Sequence, residues 1–404
     1  MSYRFLQLLL GEMPSQVFLE KAVGNGWLHL EAGPSGDRFS DLVTLRDLEL
    51  LLFDGNREDK IFNVVGGQML PEEDDAPKHY CSAEESLDGW AEGKTLIISG
   101  IDRQLPSVNA LARGLEGELK CRIWCNLYLT PARGHGFETH YDPHDVFVLQ
   151  LNGSKRWSLG RSVVNSPLPF QVHEKVELND GERQAQITMR AGDVLYIPRG
   201  TMHSAVADDE LSNHLTIGVH PKTYLDAILT AVTLAADRDP RFRRNLPLGT
   251  FAIGEDIITE ARHLMAIVPN ESFRDAGDAF CELLSSQRRR SPIDILALHD
   301  KSGRLGEEDR FRAVPYLMAS LTHVGQFIEL HAMGRSMSFP LSTCEDLELC
   351  CSGKVFRLAD LRAQPSAETG VQLVRRLLFE GVLQRFTPAD TAEDTQVDLI
   401  RHSQ

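Results

Sequence analysis

The sequence predicts an α+β protein with a mainly β core, and two patterns of apolar residues support this prediction. Between Lys120 and His220, apolar and polar residues alternate with the period of a β-strand. Short β-rich runs follow one another here without helices between them, which is typical of a barrel or sandwich. From Pro221 onward the spacing of the apolar residues becomes helical.

Seven runs of the β-rich region carry the strand pattern and are separated by Gly, Pro and Asn. They are Cys121–Leu129, Val146–Leu151, Arg156–Leu159, Ala185–Met189, Val194–Ile197, His203–Val206 and Leu215–Val219. The first hundred residues mix short helical and strand patterns. There, a helix that ends near Leu52 is predicted to have Thr44 as its N-cap.

The second half of the chain is predicted to be largely helical and then to end in a small mixed domain. Helices are predicted at Tyr224–Ala236, Ile257–Met265, Phe273–Ser286 and Phe311–Met318. In the last part, residues 321–404, strands are predicted at Leu341–Leu349 and Val355–Arg357, and a helix at Val371–Glu380. This part looks like a winged helix. It carries eight Lys or Arg against eleven Asp or Glu, so a structural or protein-binding role is favoured over direct DNA binding.

Composition limits the class of protein. At 404 residues the chain is long enough for two or three domains. A formal net charge of −16 disfavours a general nucleic-acid binder and is compatible with a basic protein substrate, although it also fits simple solubility. The seven cysteines lack a C-x-x-C pair, which predicts reduced thiols in a cytoplasm. The apolar run Leu6–Leu10 is too short for a signal peptide, and no membrane span is predicted.

Three residues have the chemistry and spacing of a metal site. His140 and Asp142 are two positions apart, and strand residues i and i+2 face the same side. His203 must arrive from a different strand of a folded barrel. Two imidazoles and one carboxylate are the ligand set of non-haem Fe(II) oxygenases, which keep coordination positions open. The sequence therefore predicts Fe(II) at these three residues, although affinity alone does not exclude Mn, Co, Ni or Zn.

The segments around these ligands resemble the two cupin motifs. Gly134 lies six residues before His140, and Gly192–His203 has the pattern G-x5-P-x-G-x2-H. Asp142 stands where the usual second His is found, and the usual downstream Glu is missing, so that three protein ligands remain instead of four. The resemblance implies a double-stranded β-helix, the cupin or JmjC jelly roll.

A longer stretch resembles the JmjC-type 2-oxoglutarate oxygenases and, among them, the ribosomal oxygenases, which hydroxylate residues of ribosomal proteins. The resemblance rests on Asn126-Leu-Tyr128-Leu-Thr-Pro, on the segment from His140 to Trp157 and on Gly192–His203. It implies Fe(II), 2-oxoglutarate as cosubstrate, O2, and a His or Arg side chain of a ribosomal protein as substrate. It also implies a catalytic domain at 1–222, a helical dimerisation domain at 223–320 that makes a homodimer, and a winged-helix-like domain at 321–404.

The resemblance assigns the cosubstrate to Lys155. A 2-oxoglutarate molecule on the iron leaves its distal carboxylate deep in the barrel, where a charge must be paired. Lys155 matches the Lys or Arg that binds this carboxylate in the family. The adjacent Arg156 suits a solvent-facing position, because strand residues alternate between faces.

Four further residues are expected to line the pocket. Asn126 and Tyr128 share one strand face and match family positions beside the iron, with Tyr128 as the candidate catalytic residue. His214 and Thr216 share a face of a later strand and match positions near the iron and the distal carboxylate. Whether Thr216 or another residue is the partner of Lys155 stays open.

Other functions also stay open at this point. The same chemistry could act on a peptide natural product, a small molecule or a tRNA base. A non-catalytic cupin or winged-helix binding protein is disfavoured, because it has no need for an open metal site with a carboxylate anchor. A cupin isomerase or a dioxygenase that does not use 2-oxoglutarate would usually keep the His that Asp142 replaces here.

Overall fold

The chain forms two compact units, Met1–Pro221 and Lys222–Gln404, each with its own hydrophobic core. A computed structural model describes residues 3–33, 38–53, 61–65, 83–134, 136–171, 183–249, 253–288, 305–306, 308–362, 367–386 and 398–402. Within these ranges, no helix has the length and apolar character that a membrane span requires.

The first unit contains five described α-helices and ten described strands. The helices are Arg4–Leu10 (α1), Ser15–Val17 (α2, continued by a π-helical turn at Phe18–Ala22), Leu45–Phe53 (α3), Ala83–Ala91 (α4) and Pro106–Leu119 (α5). The strands are Leu28–Leu30 (β1), Ile61–Val65 (β2), Thr95–Ser99 (β3), Arg122–Thr130 (β4), Asp145–Asn152 (β5), Ser154–Ser162 (β6), Arg183–Arg190 (β7), Val194–Ile197 (β8), Thr201–Ala207 (β9) and Ser212–His220 (β10).

The sequence predictions for this unit agree with these elements. All seven β-rich runs fall on strands of the barrel. The predicted N-cap of α3 is confirmed, because the hydroxyl of Thr44 accepts a hydrogen bond from the backbone N–H of Asp47 at 3.2 Å.

The ten strands form two sheets, as expected for the cupin-like jelly roll. The larger sheet has the order β1-β8-β5-β10-β4-β3-β2 and the smaller one β7-β6-β9. Side-chain alternation divides the larger sheet between two cores. Cys125 and Leu127 of β4 pack toward α1 and α5, whereas Val148 of β5 faces the smaller sheet and packs in the core that contains Trp157. The barrel interior therefore lies between the two sheets.

The second unit contains helices and two small sheets. Its described helices are Tyr224–Arg238 (α6), Glu255–Ala266 (α7), Asn270–Ser286 (α8), Cys344–Cys350 (α9) and Ala367–Phe379 (α10). Its described strands are Arg310–Ala313 (β11), Met318–Val324 (β12), Phe327–Ala332 (β13), Arg335–Pro340 (β14), Phe356–Arg357 (β15), Leu383–Arg385 (β16) and Asp398–His402 (β17). The sheet orders are β15-β11-β16 and β14-β13-β12-β17.

Two predictions in the second unit are wrong. Phe311–Met318 is not a helix, because most of β11 and the start of β12 occupy it, with Pro315 between them. Leu341–Leu349 is not a strand but a 3-10 turn that leads into α9. The other helices predicted here are confirmed as α6, α7, α8 and α10. The dimerisation module and the winged-helix domain stay predictions.

The turn between β5 and β6 carries the chain from the larger sheet to the smaller one and depends on a glycine. Gly153 has φ of +67°, and a Cβ at this position would lie 2.0 Å from the carbonyl oxygen of Leu211. Both the left-handed backbone and the close approach of the chain just before β10 therefore require glycine. Lys155, two residues later, depends on this turn for its place in the barrel.

We predict that Gly153→Ala lowers the free energy of unfolding of the first unit by about 3 kcal/mol or more, since about 1–2 kcal/mol of backbone strain adds to the clash. Gly93→Ala is the matched control, because Gly93 has φ of +92° with no neighbouring atom within 4 Å. Gly93→Ala should lower the free energy of unfolding only by the backbone strain of about 1–2 kcal/mol. All four tryptophans lie in the first unit, so urea unfolding followed by tryptophan fluorescence reports on it. Equal losses in the two variants would contradict the prediction.

Candidate metal centre and active site

A backbone bridge brings the predicted metal ligands together. The N–H of His140 donates to the carbonyl of His203 at 3.1 Å, and the N–H of His203 donates back to His140 at 2.7 Å. The N–H of Gly200 donates to the carbonyl of Asp142 at 2.9 Å. As a result, the candidate ligand atoms of His140, Asp142 and His203 all lie within 4.8 Å of one another.

Both imidazole rings are held in the orientation that a metal requires. Nδ1 of His140 lies 2.8 Å from the carbonyl of Glu138, and Nδ1 of His203 lies 2.9 Å from the carbonyl of Thr201. A carbonyl only accepts, so each Nδ1 carries the proton and each Nε2 keeps its lone pair for a metal. The two Nε2 atoms lie 4.0 and 3.6 Å from carboxylate oxygens of Asp142. Three ligand atoms are thus close enough together to bind one metal ion.

The protonation states at the centre also suit a metal. Burial, with a smaller contribution from His140, lowers the pKa of His203 to about 4, so this imidazole is neutral at neutral pH. Burial opposes the ionisation of Asp142, but the neighbouring His144, His140 and His203 together lower the pKa of this carboxyl. Neutral imidazoles and an ionised carboxylate are the forms that bind a metal.

Lys155 lies in the barrel interior, where its side-chain amino group has lost its hydration. It is 2% exposed, and its Nζ donates to the hydroxyl of Thr130 at 2.9 Å. That hydroxyl lies 3.0 Å from the hydroxyl of Thr95. No described carboxylate forms an ion pair with Lys155, and burial lowers the pKa of its ammonium group to about 7. In the structure, the hydrogen-bond partner of the Lys155 ammonium group is therefore Thr130.

Six aromatic side chains form a closed ring of contacts inside the barrel, and two of them are candidate metal ligands. In order around the ring they are His140, His203, Trp157, His214, Tyr128 and Phe137. In this order, the centroids of successive rings are 4.4, 6.0, 5.6, 4.7 and 6.2 Å apart. The centroid of Phe137 lies 5.4 Å from that of His140, which closes the ring. Tyr128 and His214 stack with an interplanar angle of 6°. The ring fixes the orientation of both ligand imidazoles and gives them an apolar surrounding.

Two polar atoms of this aromatic ring are buried without a hydrogen-bond partner among the described residues. They are Nδ1 of His214 and Nε1 of Trp157. Burial and the charge of Lys155 hold the pKa of His214 well below its usual value, so this ring is neutral. Native interiors rarely leave such atoms unpaired, and a polar ligand would satisfy them. Together with Lys155 and Thr130, they fit a small carboxylate-bearing molecule.

The remaining predicted residues lie on the same interior face. Tyr128 pairs with His214, and Asn126 pairs with Thr216, across β4 and β10. The side-chain oxygen of Asn126 accepts a hydrogen bond from Nε1 of Trp124 at 2.8 Å and one from the N–H of Gly100 at 3.1 Å. Part of the role of Asn126 is therefore to hold this indole ring in place.

Sequence reasoning missed three residues of the site. Thr130 lies two positions after Tyr128 on the same strand, so alternation could have identified it. Trp157 lies two positions after Lys155, and it contacts His203 as well as packing in the core. Phe137 lies outside the regular elements, where no periodic pattern signals its position.

Comparisons with known proteins agree with this fold and site. A family model described as the JmjC domain matches residues 104–227. NO66 of Drosophila melanogaster, named a bifunctional lysine-specific demethylase and histidyl-hydroxylase, is 35% identical over 178 residues, or 41% of this chain and 26% of that protein. Ribosomal oxygenase 2 of Bos taurus is 28% identical over 234 residues, or 55% of this chain and 50% of that protein. The chain spans half or less of the length of these relatives.

Solved structures extend the similarity over nearly the whole fold. YcfD of Escherichia coli has a TM-score of 0.55 at 16% identity and covers 93% of this chain and 98% of its own. A structure of YcfD described as a ribosomal oxygenase in complex with cobalt and 2-oxoglutarate has a TM-score of 0.54 at 16% identity, covering 93% and 99%. At this identity the likeness establishes the fold alone. Residues 104–227 thus match the JmjC domain, and the chain has homologues named NO66 and ribosomal oxygenase 2.

Proposed function

We propose that this protein is a 2-oxoglutarate- and Fe(II)-dependent oxygenase that hydroxylates a His or Arg side chain of a ribosomal protein. The observation that carries the proposal is the convergence of His140, Asp142 and His203 in the same barrel as the buried Lys155. Three protein ligands leave positions open for further ligands. Lys155 offers a cation to the far end of a dicarboxylate.

The chain's own residues would bind and orient both groups. His140, Asp142 and His203 would hold the metal, and Lys155 with Thr130 would hold the distal carboxylate of 2-oxoglutarate. Bound together, Fe(II) and 2-oxoglutarate supply the oxidation of a substrate C–H bond by O2, with succinate and CO2 as co-products. The protein contributes orientation and a dry pocket.

Two features of the interior suit this role. A carboxylate beside Lys155 restores the counter-charge that the described part of the fold does not provide. The ring of aromatic side chains surrounds the ligand imidazoles with apolar surface, which restricts water at the reacting centre and strengthens every charge interaction there. Tyr128, stacked on His214, is the candidate catalytic residue that would lie nearest the substrate.

The proposed substrate class rests on the names of similar proteins and on the net charge of this chain. Ribosomal oxygenase 2 and YcfD are both named as ribosomal oxygenases, and NO66 is named as a histidyl-hydroxylase. The net charge of −16 favours encounter with basic proteins, the class to which ribosomal proteins belong. The protein would act in the cytoplasm, because its cysteines lack a C-x-x-C pair and are expected to be reduced.

We further propose that the helical segment at 223–320 forms a homodimer and that the part at 321–404 is a winged-helix-like domain without direct DNA binding. α7 has no buried residue, although it carries apolar side chains such as Met265, which is 60% exposed. On α6, Leu229 is 57% exposed. Apolar surface on neighbouring helices of one segment is typical of an interface.

We predict that His140→Ala and Asp142→Ala each reduce 2-oxoglutarate turnover by more than about a hundredfold, because loss of a direct ligand should cost more than the roughly 10–100-fold of an outer-shell change. Succinate formation with added Fe(II) measures turnover, and calorimetric titration with Mn(II) measures metal binding. His331→Ala, a change in the second unit, is the control and should keep full turnover. Undiminished turnover in both ligand variants would remove the metal assignment.

We predict that Lys155→Ala weakens 2-oxoglutarate binding by about a hundredfold or more, since truncating one partner of a buried charge pair costs roughly 2–5 kcal/mol. Titration of the Mn(II)-loaded protein with 2-oxoglutarate measures this, and Mn(II) binding itself should not change. Arg156→Ala is the matched control, because Arg156 is about half exposed and pairs with Asp208 at the surface. An unchanged affinity of Lys155→Ala for 2-oxoglutarate would mean that another residue binds the distal carboxylate.

The pH dependence checks the same residue independently. Because the pKa of Lys155 is about 7 before a ligand binds, the wild-type protein must take up a proton to bind 2-oxoglutarate at higher pH. Affinity should therefore be constant below pH 7 and then fall, approaching tenfold for each pH unit. In Lys155→Ala this dependence should disappear.

We predict a particle of twice the 45.2 kDa chain mass in light scattering at micromolar concentration. Leu229→Asp with Met265→Asp should dissociate it, because a charge buried in an apolar interface lacks a partner. Val324→Asp is the control, since it changes an exposed apolar residue of β12 outside the helical segment. A wild-type particle of one chain mass would refute the dimer.

A further inference from the structure

The paired strands β4 and β10 carry a second group of side chains beyond the metal centre. Trp124 pairs with Gly218, and Arg122 pairs with His220. Since side chains alternate along a strand, these residues share the interior face with Asn126. They lie at the end of β4 opposite to the end that carries the partner of the buried lysine. The barrel therefore has a lysine end and a second end with different chemistry.

Two guanidinium groups stack on one indole ring at this second end. The guanidinium carbons of Arg103 and Arg122 lie 5.3 and 4.9 Å from the ring centroid of Trp124. The hydrogen bond to Asn126 fixes the indole, so the two cations have a defined support. Arg103 is exposed, and Arg122 is half-buried.

A pair of stacked histidines lies next to this support. The rings of His144 and His220 are 4.4 Å apart with an interplanar angle of 22°. His144 follows the metal ligand Asp142 by two residues, and a Cβ on Gly218 would lie 3.0 Å from its ring. Glycine at position 218 thus leaves the space that His144 occupies.

We call the cluster of Arg103, Arg122, Trp124, His144 and His220 the cationic mouth. Within the described part of the chain, neither of its arginines forms an ion pair.

The carboxylates near the cationic mouth are already engaged. Arg113 lies 3.3 Å from Asp102 and 2.6 Å from Glu116, and both carboxylates also accept backbone N–H groups. In a chain with a net charge of −16, acidic partners for surface arginines are abundant. Among the residues that the structure describes, neither Arg103 nor Arg122 has an acidic partner, so both are available to an anion from outside.

We propose that the cationic mouth binds a carboxylate of the substrate polypeptide, from an Asp or Glu side chain or a chain terminus near the residue that is modified. This inference rests on the proposed function. Both arginines are held against one indole, and an arginine offers paired donors to a carboxylate. An extended polyanion such as RNA is disfavoured, because the rest of this acidic chain would repel its other phosphates.

The test uses the full-length protein loaded with Mn(II) and 2-oxoglutarate and an array of overlapping ribosomal-protein peptides. Each peptide is made in an acidic form and in a neutral form, with Asp and Glu replaced by Asn and Gln and the terminus amidated. We expect the wild type to bind the acidic form of its best peptides about tenfold more tightly, as one charge-assisted hydrogen-bonded contact provides. Arg103→Gln and Arg122→Gln should remove that preference.

Two controls separate recognition from folding. Arg103→Lys keeps the charge at an exposed position and should restore part of the preference. Arg190→Gln removes an exposed arginine at the lysine end, where it pairs with Ser154 in the smaller sheet, and should leave the preference intact.

The outcomes distinguish this inference from the proposed function. A wild type that binds both peptide forms equally, yet turns over 2-oxoglutarate, overturns the carboxylate site and leaves the enzyme assignment standing. Absence of 2-oxoglutarate turnover in the wild type overturns the proposed function itself. Binding of a single-stranded RNA oligonucleotide that exceeds peptide binding and depends on Arg103 and Arg122 also overturns the inference, in favour of a nucleic-acid substrate.

Discussion

The two backbone hydrogen bonds between His140 and His203 are the contact on which the metal centre depends. They join a segment just before β5 to a strand of the smaller sheet, so the ligands meet only when both sheets are in place. Each ring then uses Nδ1 to bind a nearby carbonyl and leaves Nε2 for a metal. Backbone geometry therefore sets the positions of both imidazole rings.

The parts of the site that follow strand alternation could be predicted from the sequence. Alternation predicts His140 and Asp142 on one strand face, but they lie in a segment before β5 that has only an isolated bridge at His140, and their ligand atoms still meet. Contacts across the barrel could not be predicted in this way, because they depend on which strands face each other. The hydrogen bond from Lys155 to Thr130 and the contact of Trp157 with His203 join residues that are far apart in the sequence. No local sequence pattern predicts such contacts.

The wrong predictions in the second unit have a local cause. Phe311–Met318 is a short apolar run, and such a run fits a buried strand as well as a helix. The Pro315 within it favours a break, and the chain does turn there between two strands. In Leu341–Leu349, Leu341, Cys344 and Leu347 recur every three residues, which is helical spacing, and Leu347 is fully buried in α9. Counting the period would have given the helix.

The electrostatic state of Lys155 links folding to ligand binding. Its pKa is about 7 in the folded protein, against about 10.4 for an unfolded chain. The folded state therefore binds this proton more weakly, and the free energy of unfolding falls as the pH drops from about 10 to 7 and is constant below that. A bound carboxylate raises the pKa of Lys155 again and recovers the lost stability. The lysine end thus selects a carboxylate because the described part of the fold gives Lys155 no counter-charge. At the other end, Arg103 is exposed, so it gains far less from a partner.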